Sequence, residues 1–283
     1  MTPEAQNWKL ILAYDGTDFR GWQVQPEQTT VQGELQAALG RVTSESPLPQ
    51  GSGRTDAGVH ALAQVASFTL QAAIPPENLV LALNRTLPES IRVISAQHVP
   101  VDFHARHSTV AKTYEYRVFV ERAADPDQTI PRRICPPFLA RYVYSYPWPL
   151  SLFALNDAAE HFIGTHDFLS FAATDPDQST RSGESAEVED EEGEPQKSAI
   201  RTIFNSGWHK QQTPDGNLLV YRVRGSGFLH HMVRNLVGTM LDVGRGYTQA
   251  AAIPEMIAAR ARAAAGPTAP ARGLFLHSVE YPE

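Results

Sequence analysis

The chain has 283 residues and a single cysteine, Cys135, which excludes an intramolecular disulfide framework and a cysteine-rich zinc module. Hydrophobic residues make up 42% and charged residues 19%, enough apolar matter for the core of one large domain or two ordinary ones. The net charge of −7 sits wholly in residues 175–197, where nine acids face two bases (2 − 9 = −7), so the other 260 residues balance at 22 bases and 22 acids.

The predicted elements alternate along the chain. Trp8 to Tyr14 reads as a strand ending in the turn signal Asp15-Gly16. Thr30 to Val42 fits a helix capped by Thr30, with Val31, Leu35, Ala38, Leu39 and Val42 at 3.6 spacing. Val59 to Leu70 is strand-like after a glycine-rich turn. Pro76 to Leu87 predicts a short helix with Leu79, Leu83 and Leu87 on one stripe, and Ile91 to Val99 a strand. Thr113 to Val120 alternates with period two, as a strand does. Leu152 to Ile163 predicts a helix. Arg201 to Trp208 and Leu218 to Val223 are strands, joined through Pro214-Asp215-Gly216. His230 to Val243 reads as an amphipathic helix and Leu274 to Tyr281 as a closing strand. The expected fold is α+β, with two related domains (1–107 and 108–283) built from mixed or antiparallel sheets that meet in a central cleft.

Residues 175–197 are rich in Ser, Glu, Gly and Pro, with one Val as their only large aliphatic. Such a segment cannot bury enough apolar area to offset its ordering entropy, so it reads as a loop inserted within a domain. The neutral remainder is free to present a basic face to nucleic acid. No apolar run approaches the roughly 18 residues of a membrane span, and the N-terminal residues lack a signal-peptide pattern. A soluble cytoplasmic protein is expected.

The densest motif is Gly51-Ser52-Gly53-Arg54-Thr55-Asp56-Ala57-Gly58-Val59-His60-Ala61. Its glycines permit sharp turns and close approach of a large ligand around one carboxylate and one guanidinium. It has neither the Gly-Lys-Ser/Thr ending of a P-loop nor a Rossmann fingerprint. From composition alone it could equally be a hairpin tip whose polar groups bond locally.

Residues 53–60 of this motif closely resemble the signature of the bacterial tRNA pseudouridine synthase A family. The likeness continues in order along the chain, from about residue 8 to 282. It includes Tyr14 to Gln23, Asn84-Arg85-Thr86-Leu87-Pro88, Asp102 to Arg106, Lys112-Thr113-Tyr114-Glu115-Tyr116, Phe228 to Gly238 and Gly273 to Leu276. The acidic segment departs from it. The resemblance implies that Asp56 is the catalytic nucleophile, that Tyr114 stacks on the target base, that Arg234 pairs with the aspartate and that Arg54 contacts RNA. It also implies a homodimer without cofactor, acting on uridines at positions 38 to 40 in the anticodon arm of tRNA.

The chemistry fits those residue types. Pseudouridine formation breaks a base–sugar bond and rejoins the uracil through carbon, with no oxidant, phosphate donor or metal. A carboxylate can act as the nucleophile if it stays ionised, and an arginine partner favours that form. An aromatic ring can hold a base drawn from its stack. No metal site is expected: His230 and His231 are adjacent, and on a helix they would point about 100° apart. They are expected, with His60 and His104, to hydrogen-bond within the cleft or touch phosphate. Arg41, Arg85, Arg106, Arg132, Arg133, Arg201, Arg222, Arg224 and Arg245 are candidate contacts to the RNA backbone. Two rival readings remain. A passive RNA-binding module would gain nothing from Asp56, and a glycosidase would need a second carboxylate nearby.

Overall fold

The computed structural model describes residues 5–122, 133–173, 199–213 and 216–282. The acidic segment therefore lies outside the described residues, as do Pro214 and Asp215 of the predicted turn and Arg132. The first strand, β1 (Gln6–Tyr14), buries every second residue, Trp8, Leu10, Leu12 and Tyr14. That alternation fixes its register, because a slip of one residue would turn all four outward. Helix α1 (Val31–Thr43) starts where predicted: the Thr30 hydroxyl accepts the Gly33 N–H at 3.3 Å. The short β2 (Gln50–Gly51) and long β3 (His60–Leu70) flank the glycine-rich turn. Helix α2 (Pro76–Thr86) begins with proline in its first turn and buries Leu79 and Leu83. Strand β4 (Ile91–Val99) ends the first half.

The second half opens with β5 (Ala111–Val120) and continues through α3 (Pro137–Ala140), β6 (Tyr144–Tyr146), α4 (Leu152–Glu160) and β7 (Gly164–Asp167). Strands β8 (Ile200–Thr213) and β9 (Gly216–Gly225) form a long antiparallel pair. Helix α5 (Met232–Gly244), α6 (Ile253–Ala258) and β10 (Leu274–Glu280) complete the chain.

All ten strands join in one mixed sheet of order β4-β1-β3-β10-β5-β9-β8-β7, with β2 on β3 and β6 on β5. The fold is α+β, as expected. The joint is β10, which runs parallel to β3 and antiparallel to β5. It places β3 and β5 two strand spacings apart, about 10 Å. The turn leading into β3 and the side chains of β5 therefore face each other across one sheet.

The late helix is amphipathic in sequence, and the fold buries its polar side as well. Every residue of α5 except Arg234 is buried. The helix is covered on its outer side by the 264–269 segment: a Cβ on Gly238 would fall 1.6 Å from the Pro267 carbonyl oxygen. Asn235 and Thr239, polar yet buried, are satisfied internally. Asn235 Nδ2 donates to the Phe171 carbonyl at 2.7 Å, and the Thr239 hydroxyl accepts the Gly266 N–H at 2.9 Å. The helix also begins at Met232, two residues later than predicted. His231 has φ 60°, a left-handed conformation no helix can contain.

Candidate active site

Asp56 lies on the turn that enters β3, and that turn is held from two sides. The Trp22 N–H donates to the Thr55 carbonyl at 3.0 Å, and the Gly58 N–H to the Phe19 carbonyl at 3.3 Å. These bonds need backbone-to-backbone approach. Gly21 has φ 91°, and a Cβ there would sit 2.6 Å from the Thr55 carbonyl oxygen. From beneath, the Tyr14 phenol bonds the Thr55 hydroxyl at 2.8 Å. Fully buried Gln64 accepts from the Ser52 hydroxyl at 2.7 Å and donates to the Gly53 carbonyl at 2.9 Å. A turn whose polar groups are this fully engaged presents one geometry.

Three side chains from the start of the late helix converge on the Asp56 carboxylate. Arg234 Nη1 donates to Oδ2 at 3.0 Å, while its Nε donates to the Ala269 carbonyl at 2.8 Å. The two bonds fix the guanidinium plane. His230 Nε2 lies 3.4 Å from Oδ1, and His231 Nε2 lies 3.3 Å from Oδ2. The two imidazoles stack with centroids 3.9 Å apart. This corrects the argument that adjacent histidines must diverge: that holds for helical neighbours, and His231 stands outside the helix at positive φ. Burial lowers the His231 pKa from its ordinary value. The Asp56 carboxylate works against that, and His230, Arg234 and Arg262 work with it.

Asp56, His230 and His231 offer donor atoms all within 4.8 Å of one another, a spacing that could hold a divalent ion. The Arg234 guanidinium already places positive charge on the same carboxylate, which opposes a cation there.

The carboxylate opens onto a cavity of about 760 Å³ lined by residues from both halves of the sheet, Arg54, Lys112 and Tyr114 among them. The Tyr114 ring meets Phe228 edge-on, with centroids 5.1 Å apart. Burial raises the Tyr114 phenol pKa well above the ordinary tyrosine range, with further contributions from Tyr14 and Asp56. The phenol is neutral at physiological pH. Among the described residues lining the cavity, Asp56 is the only carboxylate, whereas Arg20, Arg54, Arg106 and Lys112 are cations. Among the described residues, the cavity suits an anionic ligand and shows no second carboxylate of the kind a glycosidase needs.

The structure brings the four residues singled out in the sequence to one place. Asp56, Tyr114 and Arg54 line the cavity, and Arg234 backs the carboxylate. Of the other arginines, Arg106 reaches the cavity. Arg222, Arg224 and Arg245 are paired elsewhere, with Glu115, Glu280 and Asp242 at 2.6–2.8 Å. His60 is a structural residue. It is 1% exposed, with Nε2 near the Arg141 and Arg272 carbonyls at 3.2 and 3.1 Å. His104 caps its own turn by accepting the Arg106 N–H at 3.0 Å. Sequence reasoning missed Gln64 and Lys112. Gln64 carried no signal, but Lys112 stands two residues before Tyr114 on an alternating strand and so on the same face.

A sequence model of the tRNA pseudouridine synthase family matches residues 10–108 and 158–282. Three relatives each bear the name tRNA pseudouridine synthase A. The protein of Solibacter usitatus is 47% identical over 273 residues, covering 96% of this chain and 98% of its own. That of Moorella thermoacetica is 42% identical over 275 residues, with the same two coverages, 96% and 98%. That of Halalkalibacterium halodurans is 40% identical over 267 residues, covering 94% of this chain and 89% of its own. A match of this extent, on a chain whose cleft gathers one carboxylate, its arginine and a buried tyrosine, shows that the protein belongs to the tRNA pseudouridine synthase family, isomerases that convert uridine to pseudouridine in tRNA.

Proposed function

We propose that Asp56 is the nucleophile of this isomerisation and that its target uridines lie in the anticodon arm of tRNA, at positions 38 to 40. The observation that carries the reading is the ion pair between Arg234 and Asp56 at a cavity whose other lining residues include the cations Arg20, Arg54, Arg106 and Lys112. The carboxylate attacks the target nucleotide and the N1–C1′ bond breaks. The uracil rotates, C5 forms the new bond to C1′, the bond from Asp56 to the nucleotide breaks and returns the carboxylate, and one proton leaves C5 while one joins N1. Atoms balance within the nucleotide, and no cofactor or metal is called for.

Each side chain has a defined part. The Arg234 guanidinium, anchored on Ala269, orients the carboxylate and stabilises its charge. The Tyr114 ring, backed by Phe228, offers a face for the extracted base. Arg54, two residues before Asp56 on the same turn, contacts the RNA backbone near the target. Incubation with uridine-labelled tRNA, followed by nucleoside analysis and mapping of the modified positions, tests the reaction and the site of action together. Pseudouridine outside the anticodon arm would overturn the positional part of the reading.

The same reading takes the chain as two related domains, 1–107 and 108–283, and the active species as a cytoplasmic homodimer. Phe138 and Ile134, 91% and 88% exposed, supply apolar surface for a second copy. Among the described residues no helix is long and apolar enough to cross a membrane. Sedimentation at micromolar concentration tests the dimer; a single species of monomer mass would overturn it.

A further inference from the structure

Lys112 is a polar group in the cavity wall that the proposed chemistry does not use. It shares its face of β5 with Tyr114, two residues and so about 6.6 Å further along the strand. Its Nζ donates to the carbonyl of buried Ser52 and lies directly under Gly53, where a Cβ would come within 2.9 Å of it. An ammonium has three protons to donate. Among the described residues, Lys112 makes that one hydrogen bond and no ion pair. Its charged neighbours are cations: Arg106, which also lines the cavity, and Arg201.

An ammonium in the cavity wall beside the Arg106 guanidinium, with no ion pair of its own, favours an anion there. The ligand can bring that anion. The proposed function supplies one at the right spacing, because a base held at Tyr114 brings its own backbone phosphates within a strand step or two. Resting on that reading, we propose that Lys112 and Arg106 form a subsite for a backbone phosphate next to the target nucleotide, and that Lys112 thereby sets how far the RNA enters the cleft.

The site has a distinctive titration. Burial first, and then Arg106 and Arg201, push the Lys112 pKa down to about 8. A phosphate against the ammonium would raise it again. Below about pH 8 the ammonium is already charged and binding is at full strength. Above it, RNA binding must take up a proton, and affinity falls as pH rises. The groups facing Lys112 are Arg106 and Arg201 beside it, with Asp56, Tyr114, His230 and His231 around the same cavity. All are retained when only Lys112 is changed, so a comparison of variants isolates its contribution.

The test is binding of a fluorescein-labelled anticodon stem-loop RNA to the full-length protein, at pH 7 and pH 9 and over a series of salt concentrations. Lys112→Met should weaken binding roughly five- to tenfold at pH 7 and reduce the salt slope by about one. Wild type should lose up to about tenfold in affinity between pH 7 and pH 9. Lys112→Arg, which keeps a charge that does not titrate, should bind well at both. An unchanged slope for Lys112→Met, or the same pH dependence for wild type and Lys112→Arg, would overturn the proposal. So would a lower melting temperature for Lys112→Met with no change in salt slope, which marks a strut for the Ser52–Gly53 turn. Pseudouridine formation by wild type on the same RNA is scored separately: tight binding without product would overturn the role given to Asp56 and leave this subsite standing.

Discussion

Arg234 and Asp56 lie 178 residues apart in the chain and 3.0 Å apart in space. The contact joins the only residue of α5 that escapes burial to the turn before β3. It thus ties the position of the carboxylate to the docking of a whole helix. The guanidinium makes a second bond, to the Ala269 carbonyl, so two donors in a fixed plane determine where the charge sits.

Arg234→Lys keeps the charge and loses the planar fork. The expected result is a fall in kcat of about 100- to 1000-fold, the range for removing one preorganised donor. The Ala269 carbonyl would lose its partner, costing about 1–3 kcal/mol of stability. Single-turnover kinetics and thermal melting of the same preparation check both.

Tyr114 separates ring from hydroxyl. Because its phenol pKa is raised far above the ordinary range, no loss of activity from its ionisation should appear between pH 6 and 9. Tyr114→Phe keeps the face and should bind tRNA as wild type does, turning over slowly if the phenol relays a proton. Tyr114→Leu should lose about 1–3 kcal/mol of base contact. Equal affinity for the leucine variant and wild type would place the base elsewhere.

Gly21 is the position where backbone geometry and chemistry meet. Alanine there would carry a Cβ 2.6 Å from the Thr55 carbonyl oxygen, at a φ of 91° that L side chains rarely adopt. Gly21→Ala should push the Asp56 turn away from the opening turn. Turnover should drop by at least tenfold while tRNA affinity changes far less, since the cationic wall is untouched. A variant with wild-type kcat would show that the turn tolerates the shift.

Acid stability follows from His60. Burial lowers its pKa from the ordinary value, against the raising effects of Asp15 and of the Arg272 and Arg141 carbonyls, with Arg117 adding to the lowering. The unfolded chain takes up this proton near pH 6.5 and the folded chain resists it. Stability therefore falls as pH drops below about 6.5, by up to about 1.4 kcal/mol per pH unit for this group. Protonated His60 could still meet Asp15, whose Oδ1 lies 3.1 Å from Nδ1, which limits the fall. Chemical denaturation at pH 7.5 and 5.5 checks it. His60→Gln, which does not titrate there, should be less stable at pH 7.5 and show a shallower decline.

What the sequence made legible was whatever local physics enforces. The Thr30 cap, the alternating β1 and β5 and the glycine-rich turn each carry their own signal, and each stands where it was expected. Among the elements that escaped notice, β6 and β7 are three and four residues long and owe their pairing to neighbours far along the chain. Helix α5 read as amphipathic from its sequence. Only the packed structure shows that Asn235 and Thr239 find internal partners. The site followed the same rule. Asp56 was visible in its motif, but the convergence of His230 and His231 depends on one left-handed residue, and histidine is not a residue type that announces positive φ.

The central claim is that the Asp56 carboxylate carries the chemistry. Asp56→Asn changes one atom and leaves the side chain nearly the same shape, so binding and melting temperature should stay close to wild type. The direct measurement is the pseudouridine content of uridine-labelled tRNA after incubation with each protein, read by nucleoside analysis. Wild type should convert uridine to pseudouridine without releasing free uracil, and Asp56→Asn should form no pseudouridine above background while still binding the tRNA. Pseudouridine formation by Asp56→Asn at a rate near wild type would contradict the account.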